Sequence, residues 1–221
     1  MTKYYVVIPV FNEAMRIRKC LNRILEFHKH LIVVNDGSTD NTADVLRDFP
    51  NIIVLNLAKN SGKGFAMKKG AKMAWKLGAK GIIYMDGDNQ HDPKHIREFT
   101  KLLDKKKDIV LGVRILKTDI PFHRKLGNVI MVYAMQILFS VRITDMMCGY
   151  RAFSKRGYGS VTWESNGYEV ETEVVAKIGD NKLKYETVIV DTIYHDKYKG
   201  FSILDGFKIL AKIPGWKIRS I

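Results

Sequence analysis

Two carboxylates spaced two residues apart, Asp86 and Asp88, follow directly on the apolar run Ile82-Ile83-Tyr84-Met85, and the amide of Gln90 comes two residues later. Gly87, between them, lets the backbone turn sharply enough for the two side chains to converge. Neighbouring carboxylates repel one another, and a divalent cation relieves that repulsion. All-oxygen ligands suit Mg²⁺ or Mn²⁺, ions that commonly complete their coordination with substrate phosphates. The alternative is a polar strand-to-helix turn in which Asp92 caps a helix beginning at Pro93.

Three more polar clusters stand just after apolar runs: Asn12-Glu13, Asp36, and the loop Asn60-Ser61-Gly62-Lys63-Gly64. In an open α/β sheet the carboxyl ends of the strands face one crevice, so all four clusters would meet there. A single Asp after a strand is usually a helix cap. Four such sites on one sheet edge make independent capping a poorer explanation. Ser61-Gly62-Lys63-Gly64 is neither a dinucleotide fingerprint nor a P-loop, so neither hydride transfer nor ATP hydrolysis is supported.

The elements that must position these residues can be read from period and length. Tyr4–Ile8 reads as a first strand stopped by Pro9, and Leu31–Val34, Ile52–Leu55, Gly81–Met85 and Asp108–Gly112 read as four more. Helical patterns fill the gaps: Ala14–Phe27 with Ile17, Leu21, Ile24 and Leu25 on one face, a short one from Asn41 or Thr42, one from Gly64 to Leu77, and one from Pro93 to Asp104. This alternation predicts an α/β fold with a mostly parallel sheet flanked by helices. After Arg114 the pattern changes. Pro121–Val141 reads as one long, partly apolar helix, followed by a polar loop over Thr144–Arg151, a helix near Glu169–Ile178, a strand near Thr187–Ile193 and a basic amphipathic helix over Ile203–Ile221. The expected organisation is therefore a single domain in three parts, 1–114, 115–203 and a C-terminal helix over 204–221.

With 221 residues the chain is long enough for a substantial core. A net charge of +14 predicts an anionic partner: phosphorylated substrates, an acidic membrane surface or nucleic acid. Nucleic acid fits poorly, because the lysines are scattered and the expected crevice is acidic. Cys20 and Cys148 lie far apart in sequence, so no zinc spacing or disulfide framework follows, and a reducing compartment is the natural reading. The first residues run straight into a strand pattern and read as no signal peptide, and no apolar run reaches the roughly 20 residues of a membrane-spanning helix.

In order and spacing, Pro9-Val10-Phe11-Asn12-Glu13, Val34-Asn35-Asp36-Gly37-Ser38-Thr39-Asp40, Ser61-Gly62-Lys63-Gly64 and Asp86-Gly87-Asp88-Asn89-Gln90-His91 resemble the successive motifs of family 2 glycosyltransferases with a GT-A fold. Asp145-Met146-Met147-Cys148-Gly149-Tyr150-Arg151-Ala152-Phe153 and Asp196-Lys197-Tyr198-Lys199-Gly200-Phe201-Ser202 are similar to the branch that makes polyprenyl (dolichyl) phosphate sugars. The resemblance covers residues 4 to 203 and would make 1–114 the nucleotide-sugar-binding half and 115–203 the acceptor-binding half. It implies that Pro9, Asn12, Glu13, Asp36 and Lys63 line a nucleotide-sugar pocket, with Asp36 reaching the base. Asp86 would face the ribose or the metal, and Asp88 and Gln90 would hold Mg²⁺ or Mn²⁺ on the diphosphate. Arg114 and Arg151 would meet donor or acceptor phosphates, and Arg124, Lys199 and Ser202 would serve the acceptor phosphate. Two positions depart from the pattern, Lys197 where Arg is common and Ile203 where Lys is common.

What the resemblance implies is inverting transfer of a sugar to a polyprenyl or dolichyl phosphate at the cytoplasmic membrane face. A hydroxyl acceptor needs a positioned base, whereas a phosphomonoester, with a second pKa of about 6, is already anionic. Asp145 is the candidate base for the alternative, a family 2 enzyme acting on a saccharide or glycolipid hydroxyl. A sugar-phosphate nucleotidyltransferase would need an arginine-containing glycine-rich loop after the first strand, which is missing. The 121–141 helix and the basic C-terminal helix, with Trp216 at headgroup depth, are expected to lie on an anionic membrane surface, each basic residue contributing about 1 kcal/mol. Packing against the sheet is the other reading of both. Membrane contact would then be peripheral, or made through a separate anchoring partner.

Overall fold

A computed structural model describes residues 3–114, 122–191 and 212–217. Its sheet has seven strands: β1 (Tyr4–Val10), β2 (Leu31–Asn35), β3 (Ile53–Asn56), β4 (Gly81–Tyr84), β5 (Ile109–Arg114), β6 (Arg151–Ser154) and β7 (Glu186–Val190). The helices are α1 (Ala14–Phe27), α2 (Thr42–Arg47), α3 (Lys63–Lys76), α4 (Ile96–Asp104), α5 (Phe122–Phe139), α6 (Lys155–Ser160) and α7 (Val170–Asp180). Residues 212–217 are helical as well. The rest of the expected C-terminal helix, together with Lys197, Lys199, Ser202 and Ile203, lies outside the described residues.

Strand order is β3-β2-β1-β4-β6-β5-β7. All pairings are parallel except those of β6, which runs antiparallel to both β4 and β5. The winding reverses at β1: the chain moves outward to β2 and β3, then returns to place β4 on the other side. The crevice beyond the β1 and β4 carboxyl ends is thus the topological switch point, where open α/β sheets bind ligands.

Strand alternation divides the core into two layers. Tyr5, Val7, Ile32, Val34, Ile82 and Tyr84 face α3, α5 and α7. Val6, Ile8, Leu31, Val33, Ile83 and Val110 face α1, α2 and α4. Ile17, Cys20, Leu21 and Ile24 form the buried stripe of α1, as its spacing predicts. Cys20 and Cys148 are both buried free thiols, each raised to about 12 chiefly by burial.

Two expectations change. Pro9 does not stop β1 but lies inside it, paired with Val34. Val6 N–H bonds on the β2 side, so alternation turns position 9 toward β4, whose last pair with β1 is Val7↔Tyr84; the missing N–H of Pro9 costs no ladder bond. The expected 144–151 loop ends in β6, which fills the gap between β4 and β5 and buries Ala152 and Phe153. In residues 212–217 Ile213 is buried and Trp216 packs partly against the core, while Lys217 reaches Asp180 at 3.0 Å. That segment rests against α7.

Candidate active site

Hydrogen bonds join the strand-end loops into one wall. The Asn12 side-chain oxygen, at a residue with φ 54°, accepts from Thr39 N–H at 2.8 Å, while Ser38 Oγ accepts from Asn12 N–H at 3.0 Å. Glu13 N–H donates to Thr42 Oγ1 at 2.9 Å, and its carboxylate pairs with Arg16 at 3.2 Å. Buried Asp36 accepts from Ser61 N–H at 2.8 Å and Gly62 N–H at 2.7 Å, so its carboxylate ties the end of β2 to the loop that opens α3. Gly37, with φ 65°, lies so close to that loop that a Cβ there would meet Lys59 at 2.3 Å.

The next link is electrostatic. Lys63, the first residue of α3, places its ammonium 2.5 Å from Asp86 Oδ1 and 2.6 Å from Glu171 Oε1. His91 Nε2 contacts the other Asp86 oxygen at 3.1 Å. Burial alone would raise the Asp86 carboxyl, but the charges of Lys63 and His91 outweigh it and hold it well below the usual carboxylate range. Burial, and then the Asp86 charge, push the Asp88 carboxyl above that range. Asp88 Oδ1 accepts from Gln90 N–H at 3.0 Å. The alternative reading of this turn also holds in part, since Asp92 does cap the turn at Pro93–His95 through Lys94 N–H.

Among the described residues no three His, Cys, Asp or Glu side chains converge to hold a metal ion. A cage made wholly by protein is therefore not built there. Asp86 and Asp88, two hard oxygen donors, do fit the way Mg²⁺ and Mn²⁺ bind, through one or two carboxylates plus substrate phosphate.

Gly149 comes so near Asp86 that a Cβ would stand 2.4 Å from Oδ2. Gly149→Ala is expected to displace that carboxylate and lower transfer about 100-fold, the scale of a 1 Å misplacement, with a much smaller change in melting temperature. Rate and melting curve measured on the same preparation check this.

At the far side, Arg114 closes β5. Its Nε and Nη2 donate to Asp145 at 2.6 and 2.9 Å, and its backbone N–H adds a third bond at 3.1 Å. Met147 N–H completes the set at 3.1 Å. The Asp145 side chain is 1% exposed. Burial would raise its carboxyl, but the bonds from Arg114 hold it below the usual range. Arg151 was expected at a phosphate. The structure instead places it 2% exposed at the start of β6, donating to the carbonyls of Cys148, Glu171 and Met146 at 3.0, 2.6 and 2.9 Å. Arg124 falls in the first turn of α5.

Sequence reasoning missed the acidic start of α7. Glu173 is buried and accepts from Glu164 N–H at 2.8 Å and Ser165 N–H at 2.9 Å, ordering a loop whose Asn166 carbonyl accepts from Gly64 N–H at 2.7 Å. Glu171 brings that element to Lys63. Three glutamates alternating at 169, 171 and 173 just before an apolar helical stretch were the available signal.

The family model for glycosyl transferase family 2 matches residues 5–161. The UDP-N-acetylglucosamine–dolichyl-phosphate N-acetylglucosaminyltransferase of Methanococcus voltae is 28% identical, over 95% of this chain and 94% of its own length. The polyprenol monophosphomannose synthase of Mycolicibacterium smegmatis is 25% identical over 97% and 86%. Among solved structures, the glucosyl-3-phosphoglycerate synthase of Mycobacterium tuberculosis in complex with Mn²⁺, UDP-glucose and phosphoglyceric acid superposes with a TM-score of 0.71, at 17% identity, covering 98% of this chain and 80% of that one. That likeness concerns the fold, which is the GT-A type expected from the motifs. With the family matched over most of its length and the switch-point crevice lined by that family's motifs, the chain belongs to glycosyl transferase family 2 and is a glycosyltransferase resembling the dolichyl- and polyprenyl-phosphate sugar synthases.

Proposed function

We propose that this enzyme transfers a sugar, with inversion, from a nucleoside-diphosphate sugar to a polyprenyl or dolichyl phosphate, using Mg²⁺ or Mn²⁺. The observation that carries this reading is the state of Asp145. A hydroxyl acceptor needs a base that can take a proton near neutral pH. Asp145 is buried and held by Arg114 and Met147, bonds that keep its carboxyl below the usual range, which suits an anchor for Arg114 rather than a base. An acceptor phosphate arrives already ionised and needs cations. The relatives named for dolichyl phosphate and polyprenol support the same acceptor class.

The donor fits the wall from β1 to β4. Pro9, Asn12, Glu13 and Asp36 shape the nucleoside side, Asp36 by fixing the loop beneath it, and Lys63 stands where a diphosphate would lie. Asp86, Asp88 and Gln90 would hold the divalent ion against that diphosphate. When bound, the ion supplies positive charge that stabilises the departing nucleoside diphosphate. Arg114 would align the acceptor phosphate for in-line attack on the anomeric carbon, and Arg124, Lys199 and Ser202 are proposed to approach it from the segments after β5 and β7. Arg151 contributes by fixing the Asp145–Tyr150 loop.

A cleft of about 450 Å³ lies beside Arg114, lined by Arg142, Thr144 and Thr187 with Val113, Ile143 and Ile189. Cations next to apolar walls suit an acceptor with a phosphate head and a hydrocarbon tail. On α5, Val129, Ile130, Tyr133, Ile137 and Leu138 are exposed, Ile137 by 77%. That face and the +14 charge support peripheral contact with an anionic cytoplasmic membrane face, alone or beside an anchoring partner. No helix among the described residues is long and apolar enough to cross a membrane.

The test is transfer of labelled sugar from a panel of UDP- and GDP-sugars into organic-extractable dolichyl phosphate, with and without EDTA. The expected result is lipid-phase label from one donor, lost on chelation and restored by Mn²⁺ or Mg²⁺. Donor binding without lipid label would move the acceptor to a hydroxyl. Asp145→Asn separates these readings further. With a phosphate acceptor the folded variant keeps about a tenth or more of its transfer, whereas loss of a true general base costs about 10²–10⁴-fold.

A further inference from the structure

Lys63 is shared between two carboxylates that come from different halves of the chain. Its ammonium lies 2.5 Å from Asp86 Oδ1, at the end of β4, and 2.6 Å from Glu171 Oε1, in the first turn of α7. Glu171 is 3% exposed, and its Oε2 has no hydrogen-bond partner. Lys63 thus bridges two carboxylates, one of which keeps an oxygen without a donor, a cost that a pair built for stability alone would not carry. The second Asp86 oxygen is held by His91 at 3.1 Å, so each carboxylate oxygen has its own nitrogen partner.

We propose that Lys63 is the resident counter-cation of this site, releasing Asp86 when a divalent ion arrives, and that Glu171 is the positioning residue that keeps Lys63 in the crevice during the exchange. The inference rests on the metal-assisted reading above. An ammonium and a divalent cation cannot share one carboxylate oxygen at contact distance, since their mutual repulsion is strong in a partly buried site. Lys63 must therefore let go of Asp86. With Glu171 beside it, the ammonium keeps a partner and remains available to the donor diphosphate. Without Glu171, Asp86 would be its one carboxylate partner among the described residues, and release would leave it without a counter-charge.

The exchange sets an order. Metal alone competes with Lys63 and binds weakly. Metal arriving with a nucleoside diphosphate binds better, because the released ammonium gains a phosphate partner. The enzyme then holds its metal mainly while the donor is present.

Mn²⁺ binding, read from the loss of the free-ion EPR signal, tests this with Mn²⁺ alone and with Mn²⁺ plus UDP or GDP. The double variant Lys63→Met/Glu171→Gln removes the competing ammonium together with its buried partner. It is expected to bind Mn²⁺ alone about tenfold more tightly than the unaltered protein and to lose most of the enhancement by nucleoside diphosphate. Glu171→Gln, which leaves Lys63 to Asp86 alone, is expected to bind Mn²⁺ alone about tenfold more weakly. Melting curves confirm that each variant is folded. Unchanged Mn²⁺ affinity in both folded variants overturns the exchange and leaves the metal reading standing. Failure of the unaltered protein to bind Mn²⁺ even with nucleoside diphosphate overturns both.

Discussion

Asp88→Asn is expected to lower sugar transfer about 10³-fold while leaving the melting temperature unchanged or slightly higher. Loss of a group that stabilises developing charge in a preorganised site costs on that order. The stability half follows from the sign of the Asp88 shift. Its folded carboxyl is raised, first by burial and then by Asp86, so the folded state binds its proton more tightly than the unfolded chain does. Stability from this group is lost as pH rises above the usual carboxylate range, and at neutral pH its charge is a cost that the folded state carries. Asparagine keeps the shape and can still accept from Gln90 N–H, but removes the charge. A residue retained for packing would behave the other way, losing stability first and activity as a consequence. Initial rates at saturating donor, together with thermal melts near pH 5 and pH 8, separate the cases: the gain in stability over the unaltered protein should be larger at pH 8. A variant that melts well below the parent at both pH values would show Asp88 to be structural.

Much of the crevice is legible in the sequence, because its residues sit where periodicity changes abruptly. Asp36, Asp86 and Asp88 each end an apolar run, and such runs are visible without knowing what they pack against. The five parallel strands before Arg114 and the stripe of α1 are legible for the same reason. What stays hidden depends on contacts distant in sequence. β6 is four residues long and begins with arginine, so it carries too little pattern to stand out from a loop; its strand character comes from β4 and β5 on either side. Pro9 reads as a strand stop until the register shows that its missing N–H faces the side where β4 has ended. Glu171 reads as one acid on a helix start, and the 2.6 Å contact to Lys63 spans 108 residues. Arginine in a motif loop suggests a ligand phosphate, yet burial decides between that and a structural role, and burial is a property of the fold.

Arg151 gives the sharpest case, and Arg151→Met is expected to cost about 3 kcal/mol of stability, lowering the melting temperature by about 10 °C for a domain of this size. The guanidinium donates to three buried carbonyls, those of Cys148, Glu171 and Met146. Methionine fills much of the same volume but leaves the Cys148 and Met146 carbonyls without the guanidinium, each at a cost of about 1–3 kcal/mol, and takes a second bond from the Glu171 carbonyl within α7. Part of this is offset, because the variant no longer buries a cation whose own pKa is lowered, chiefly by desolvation. Lysine does not rescue: one compact ammonium cannot reach three carbonyls arranged around a planar fork. If Arg151 instead met a substrate phosphate, Arg151→Met would raise KM and leave the denaturation midpoint near that of the parent. Urea denaturation of Arg151→Met, Arg151→Lys and the parent decides the matter. A shared loss of stability in both variants, with the KM of the surviving folded fraction close to the parent value, establishes that this arginine holds the Asp145–Tyr150 loop in place so that Arg114 and Gly149 can meet Asp145 and Asp86.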